Sequence, residues 1–281
     1  MIVRKPPWLR KKIDFAALKA MQGLTEGLGL HTICESAMCP NQSECFARGT
    51  ATFLIMGDRC TRNCTFCNVT HGQPEPLDTE EPVRVAEAVR RLRLRYAVIT
   101  SVTRDDLADG GAEHFTRTIT AVKAVNSGVR VEVLVPDFLH AIDRVIEAGP
   151  EVVNHNLETV PRLYKEVRPG ADYERSLNLL EQTQESGTSI HTKSGLMLGL
   201  GETQGEVFAV MGDLRRVGCD MLTLGQYLAP SKTHFPVHDY IHPEEFEAYK
   251  EAAEGMGFGH VASGPFVRSS YFAEAWLQNE Q

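Results

Sequence analysis

From Thr50 onward the chain alternates short β-branched runs with amphipathic helical stretches, and no other feature constrains its fold as strongly. Strands are expected near 50–56 (TATFLIM), 96–101 (YAVITS), 129–135 (VRVEVLV), 151–156 (EVVNHN), 189–198 (SIHTKSGLML) and 221–225 (MLTLG). Between them EEPVRVAEAVRRLRL, AEHFTRTITAVKAVN, DFLHAIDRVIEAG, YERSLNLLEQTQESG and TQGEVFAVMGDLRRVG carry apolar residues three and four apart, with acidic or hydroxyl residues near their starts. Such alternation specifies parallel strands joined by packing helices. Six units fit between residues 50 and 226; eight do not, since a complete (β/α)8 barrel takes about 250 residues. The expected fold is α/β, an incomplete six-stranded (β/α)6 TIM-like barrel over 50–226. An N-terminal extension, 1–49, and a C-terminal extension, 227–281, flank it; the latter holds a helix from Pro243 and, in HVASGPFVRSSYFAEAW, room for a short strand and helix.

Composition removes several functions. Lys plus Arg number 29 against 37 Asp plus Glu, a formal charge of −8, which argues against a nucleic-acid surface held by phosphate contacts. No apolar run approaches the roughly 20 residues of a membrane-spanning helix, and MIVRKPPWLRKKIDF lacks the apolar stretch of a secretion signal. No membrane role and a cytoplasmic location are expected. Arg4, Lys5, Arg10, Lys11 and Lys12 precede the first acid, Asp14, and read as a solvated arm.

Six of the seven cysteines fall between Cys34 and Cys67, where even scatter would put about one. Disulfides do not suit a chain of this size in a reducing compartment, and structural zinc sites usually show paired C-x2-C knuckles. Here Cys60, Cys64 and Cys67 read C-TRN-C-TF-C, while Cys34, Cys39 and Cys45 read C-ESAM-C-PNQSE-C. Neither triplet has a fourth cysteine nearby. Three thiolates on a 4Fe-4S cluster leave one iron open to another ligand.

The C-x3-C-x2-C spacing, with Phe66 before the last cysteine, resembles the signature of radical S-adenosylmethionine (SAM) enzymes. The upstream triplet, followed by GTATFLIMGDRCTRNCTFC, is similar to the lipoyl synthase family within that group. The likeness extends along almost the whole chain: KPPWLRKKI from Lys5, TSVTRDDLADGGAEHF from Thr100, VNHNLETVPRLYKEVRPGADYERSL from Val153, KSGLMLGLGE from Lys193, LTLGQYLAPSKTHFPV from Leu222 and SGPFVRSSYFAEA from Ser263. Two positions depart from the usual pattern, Phe46 where tryptophan is usual and Phe272 where histidine is common.

The resemblance implies two 4Fe-4S clusters and SAM, with Cys60, Cys64 and Cys67 holding one cluster. Cys34, Cys39 and Cys45 would hold an auxiliary cluster whose fourth ligand is Ser270 of the RSSY motif. It points to Ser101, Gly110, Gly111, Asn154 and Glu158 as SAM contacts, with Gly199–Glu202 nearby. Local sequence leaves plainer readings open. DDLADGG also fits a turn and helix start, though not a calcium loop, because Leu107 stands where a ligand is needed. NHNLET also fits a satisfied polar network, and RSSY a helix start capped by serine. Alternation directs His155 to the opposite, core-facing side, and Cys219 reads as buried core.

The implied reaction is insertion of two sulfur atoms at C6 and C8 of a protein-bound octanoyl-lysine. Its partners would be octanoylated carrier proteins (the glycine-cleavage H protein and lipoyl domains of 2-oxoacid dehydrogenases), reduced flavodoxin or ferredoxin, and an iron-sulfur carrier that rebuilds the spent cluster. The basic arm would steer an acidic carrier. Two other readings stay open from the residues: another sulfur-inserting radical SAM enzyme such as a methylthiotransferase, and a structural metal-binding interaction module.

Overall fold

The computed structural model describes residues 5–48, 50–138 and 141–280. A 3-10 turn, Pro7–Leu9, leads into helix α1 (Phe15–Leu28), whose first N–H groups are accepted by the Asp14 carboxylate. Strand β1 (His31–Thr32) and two short helices, α2 (Ile33–Ser36) and α3 (Gln42–Ala47), follow. Pro40, Asn41 and Ser43 among its ligands make the Cys34–Cys45 segment read as loop, yet it is partly helical. Thr32 starts the first of these turns, accepting from the Glu35 N–H and donating to the Glu35 carboxylate.

After β2 (Thr52–Ile55) a small ribbon, β3 (Arg59–Cys60) paired with β4 (Thr70–His71), encloses the loop bearing Cys64 and Cys67. The repeating units continue as α4 (Glu81–Leu92), β5 (Tyr96–Ser101), α5 (Ala112–Val125), β6 (Arg130–Leu134), α6 (Ile142–Glu147) and β7 (Val152–Asn154). Then come α7 (Tyr164–Val167), α8 (Tyr173–Glu185), β8 (His191–Leu198), α9 (Gln204–Arg216), β9 (Met221–Gln226), α10 (Pro243–Gly255), β10 (His260–Gly264) and a closing 3-10 helix, Ala273–Glu280. The helix expected over 137–149 is shorter as α6; Leu139 and His140 lie outside the described residues.

One sheet runs β1-β2-β5-β6-β7-β8-β9-β10, parallel throughout from β2 to β10, with β1 antiparallel on β2. The six expected strands are present, and β10 pairs parallel with β9 from His260–Met221 to Gly264–Gly225 as a seventh. The two ends of the row do not pair among the described residues, so the barrel is incomplete.

Parallel strands covered by helices are buried on both faces, which is why every residue of β2 and β9 is buried. One apolar cluster joins β2, β5 and β6 to α4, α5 and α6, and a second joins β8 and β9 to α8, α9 and α10. The barrel interior also carries charge. Glu132, fully buried, accepts from Tyr96 OH at 2.7 Å, Lys193 Nζ at 3.0 Å and Asn154 Nδ2 at 3.1 Å. No described helix is long and apolar enough to cross a membrane.

Candidate active site

Both cysteine triplets face one cavity of about 530 Å³ at the carboxyl ends of the strands. Cys60, Cys64 and Cys67 come from the loop after β2, and Cys34, Cys39 and Cys45 from the α2–α3 segment. Ser101 ends β5, Asn156 and Glu158 follow β7, and Ser269 and Ser270 follow β10.

The first triplet's loop is lashed at both ends. Thr61 donates to the Thr103 carbonyl through its backbone at 3.0 Å and its hydroxyl at 2.9 Å, and the Cys60 sulfur accepts from the N–H of Thr103 at 3.3 Å and of Arg62 at 3.4 Å. Further along, Thr65 donates through its backbone to Val167 at 3.0 Å and through its hydroxyl to Glu166 at 2.7 Å.

The second triplet is clasped between the two chain extensions. Lys11 Nζ lies 2.5 Å from Asn41 Oδ1 and 2.6 Å from Glu44, and its ammonium also sits over the rings of Phe266 and Tyr271. Tyr271 OH donates to Glu44 at 3.0 Å, and Asn41 Nδ2 donates to the Phe266 carbonyl at 2.7 Å. The Lys11 hydrogen bond holds the Glu44 carboxyl below its usual range. Lys11, expected on a solvated arm, is thus a built-in group, because two acceptors and two rings converge on it. Phe46 is buried beside Met21, Cys34 and Ala51, and Phe272 lies 4.2 Å under the Arg48 guanidinium.

Burial sets the state of the thiols. It pushes Cys34 and Cys67 up to about 12 and Cys45 up to about 11, with neighbouring thiols adding to the rise, and it raises Cys64 too. Iron needs the thiolate, so cluster binding must expel these protons.

The RSSY segment reaches the cavity because β9 carries Gly225. A Cβ there would lie 2.1 Å from the Val267 carbonyl oxygen. Asn156 Nδ2 then donates to Ser269 Oγ at 3.1 Å and to Glu158 at 3.0 Å. Burial raises the Glu158 carboxyl, opposed by the Arg168 charge, and lowers the Arg268 guanidinium, which lies near Cys39 and Glu158.

Of the residues singled out from sequence, the six cysteines, Ser101, Glu158 and Ser270 line this cavity. Asn154 sits deeper, bonded to Glu132. Gly110 and Gly111 open α5, packed on Phe138 and Met56, away from the cavity wall. The Glu202 carboxylate accepts from the Gly199 and Leu200 N–H groups and so closes Gly199–Glu202 on itself. Cys219 is buried core, as expected.

His155 is buried, as the core-facing reading expects, and it also borders the cavity: β7 ends at Asn154, and the ring Nδ1 lies 2.8 Å from the Val135 carbonyl. Burial lowers it to about 4. Two cavity arginines escaped sequence reasoning. Arg62 meets Asp105 at 2.8 Å and Asp137 at 2.5 Å, and Arg168 donates to the Asn156 and Leu157 carbonyls. Their only signal was a cation inside or beside a ligand-rich motif.

The cavity's donors suit the cofactors named above. Two sets of soft thiol ligands, with the Ser270 hydroxyl on the same cavity, match iron-sulfur clusters better than oxygen-seeking cations. Ser101 Oγ, His155 Nε2 and Asn156 Oδ1 are buried on the wall without a hydrogen-bond partner, as a polar ligand such as SAM would require. Among the described residues no three His, Cys, Asp or Glu groups converge on a single-ion position.

The radical SAM superfamily model matches residues 54–214. The lipoyl synthase of Caldanaerobacter subterraneus subsp. tengcongensis is 59% identical over 280 residues, covering 99% of this chain and 98% of that protein. The chain belongs to the lipoyl synthase family. Lipoyl synthases of Nitrosococcus oceani and Geobacter metallireducens are 57% and 55% identical, over 99% and 97% of this chain and 87% and 97% of theirs. Family membership makes the chain a radical SAM enzyme that works with SAM and 4Fe-4S clusters. Among solved structures, methylornithine synthase (TM-score 0.56, 14% identity, 75% of this chain and 70% of that one) and the hydrogenase maturase HydG (TM-score 0.57, 16% identity, 88% and 67%) share the fold.

Proposed function

We propose that this chain catalyses the lipoyl synthase reaction, inserting sulfur at C6 and C8 of an octanoyl chain carried on a lysine of a carrier protein. The observation that carries this reading is the meeting of both thiol triplets and Ser270 at one cavity. Unactivated C–H bonds offer neither an acidic proton nor a leaving group. When bound, SAM with one cluster supplies a hydrogen-abstracting radical, and the auxiliary cluster supplies the sulfur.

The chain's own task is to hold and shield these groups. Cys60, Cys64 and Cys67 hold the first cluster with one iron left for SAM, and Ser101 and Glu158 contact SAM from the wall. Asn154 lies deeper, on Glu132, and Gly110 and Gly111 shape the turn that opens α5. Cys34, Cys39, Cys45 and Ser270 hold the auxiliary cluster; a hard hydroxyl oxygen is the poorest match to cluster iron and so the easiest corner to release. Residues 1–49 and 227–281 act together as the clasp around that cluster, beside the catalytic core of 50–226.

The partners follow from the reaction: octanoylated H protein or lipoyl domains, a reduced flavodoxin or ferredoxin, and an iron-sulfur carrier, all in the cytoplasm. Mass spectrometry of an octanoylated lipoyl-domain peptide incubated anaerobically with holoenzyme, SAM and reductant tests the reading. Product with two added sulfurs is expected; SAM cleavage with no sulfur addition overturns it. Ser270→Ala should spare reductive SAM cleavage and abolish insertion.

A further inference from the structure

Trp276 plugs the mouth of the barrel opposite the cavity. Its ring meets residues that begin the strands: Tyr96 at 6.3 Å, His191 at 5.0 Å and the Arg130 guanidinium at 5.5 Å, with Val152 and Met221 in the same apolar cluster. It is only 4% exposed. The indole Nε1 donates to Tyr96 OH at 3.0 Å, and Tyr96 in turn donates to Glu132, which also holds Lys193. The plug is thus wired into the barrel's buried polar centre.

Six positions earlier in the chain, Ser270 lines the cavity at the other end of the strands. Between them the chain is wound and internally bonded: the Tyr271 N–H donates to the Arg268 carbonyl and the Ala275 N–H to the Phe272 carbonyl, each at 2.9 Å, and a 3-10 helix begins at Ala273, so the segment acts as a spacer of fixed length. Ala273 is buried beside Tyr96 along the way, and above it Tyr271 is bonded to Glu44 and Ser269 to Asn156. The segment is therefore tethered at both ends.

We propose that Trp276 is a positioning residue for the auxiliary cluster: seated in the barrel mouth, it fixes how far the C-terminal segment extends and so holds Ser270 against Cys34, Cys39 and Cys45. This rests on the reading of Ser270 as a cluster ligand. The loop bearing Cys60, Cys64 and Cys67 is fastened at the far end of the strands, to Thr103 in the loop after β5 and to Glu166 and Val167 of α7, so loosening the plug acts on one cluster and not on the other.

The test compares reconstituted holoenzymes of the parent, Trp276→Ala, Trp276→Phe and Ser270→Ala by chelator-driven iron release and by amide hydrogen exchange over 267–271. Trp276→Ala is expected to speed release of the auxiliary iron about tenfold, the effect of losing one buried hydrogen bond and part of a ring contact. The Cys60 cluster should hold its iron at the parent rate, and exchange over 267–271 should rise. Trp276→Phe keeps ring bulk without the N–H and should show the same bias more weakly, which keeps the test decisive if Trp276→Ala does not fold. Parent-like auxiliary release in Ser270→Ala removes Ser270 from the ligand set, and this proposal with it. Faster release in Ser270→Ala with unchanged release and exchange in both Trp276 variants overturns the positioning role alone, as does equal loss of both clusters.

Discussion

The Asn156 side-chain amide donates to the Ser269 hydroxyl at 3.1 Å, joining the end of β7 to the RSSY segment across 113 residues of sequence. The same nitrogen donates to Glu158, so one amide orders a cavity carboxyl and a neighbour of Ser270 together. Asn156→Ala should lower stability by about 1–3 kcal/mol, because it leaves both partners without their donor. Ser269→Ala should cost less, since Asn156 keeps Glu158. Urea unfolding of the two single variants and the double variant measures the coupling, and strict additivity would show that the bond contributes nothing.

Gly111 has φ of +92°, and a Cβ there would stand 2.3 Å from Met56 Sδ. Gly111→Ala combines backbone strain with a side-chain clash and should destabilise by about 2–4 kcal/mol. Met56→Ala in the same chain should relieve only the clash. Full recovery in thermal denaturation would mean that the backbone angle costs nothing.

Lys193 and Glu132 form an ion pair at 3.0 Å inside the barrel. Lys193→Met strands a buried carboxylate and should destabilise by about 3–5 kcal/mol, whereas adding Glu132→Gln should restore part of the loss. A double variant worse than Lys193→Met alone would contradict this account of the pair.

Lys11 and Arg10 are adjacent but do different work. Lys11→Ala breaks the clasp on Asn41 and Glu44 and should cost about 1–2 kcal/mol and loosen auxiliary iron, while Arg10→Ala at an exposed position should stay within about 0.5 kcal/mol. Arg10, like Lys5 and Lys12, is exposed and so is free to test the steering expected of the arm. Arg10→Glu should slow turnover on octanoylated carrier protein more than on a short octanoyl-lysine peptide; equal slowing removes the steering role.

His155 links stability to pH. Its folded pKa, about 4, lies below the roughly 6.5 of an unfolded imidazole. The unfolded chain binds the proton first, so His155 costs nothing above about pH 6.5, and its penalty grows as pH falls toward 4, reaching about 3 kcal/mol. His155→Gln should flatten the fall of unfolding free energy between about pH 6.5 and 4. Parallel curves for parent and variant would show that this ring is not the cause.

The sequence by itself determined the barrel, since alternation of β-branched runs with helical periods leaves parallel βα packing as the way to bury both faces of β2 through β9. It also determined the two unequal thiol sets, because Cys34, Cys39 and Cys45 and then Cys60, Cys64 and Cys67 are local spacings that need no fold to be seen. His155, Arg62 and Arg168 were not legible as cavity residues, because where a strand stops and which way a loop turns depend on partners distant in the chain. The Cys34–Cys45 helices were likewise hidden in segments too short to show a period, whereas the short strand that HVASG allowed is β10, and only its pairing on β9 was not legible.

Tertiary structure alone decided how the two extensions meet. Lys11, Glu44 and Tyr271 come from both ends of the chain and from between them, and Gly225 admits Val267 only because β10 lies beside β9. The same packing sends Asn154 to Glu132 and leaves Asn156 for Ser269, although strand alternation treats the two asparagines as equals. Local sequence sets which groups are available; the pairing order of the sheet and the course of the C-terminal segment set which of them meet.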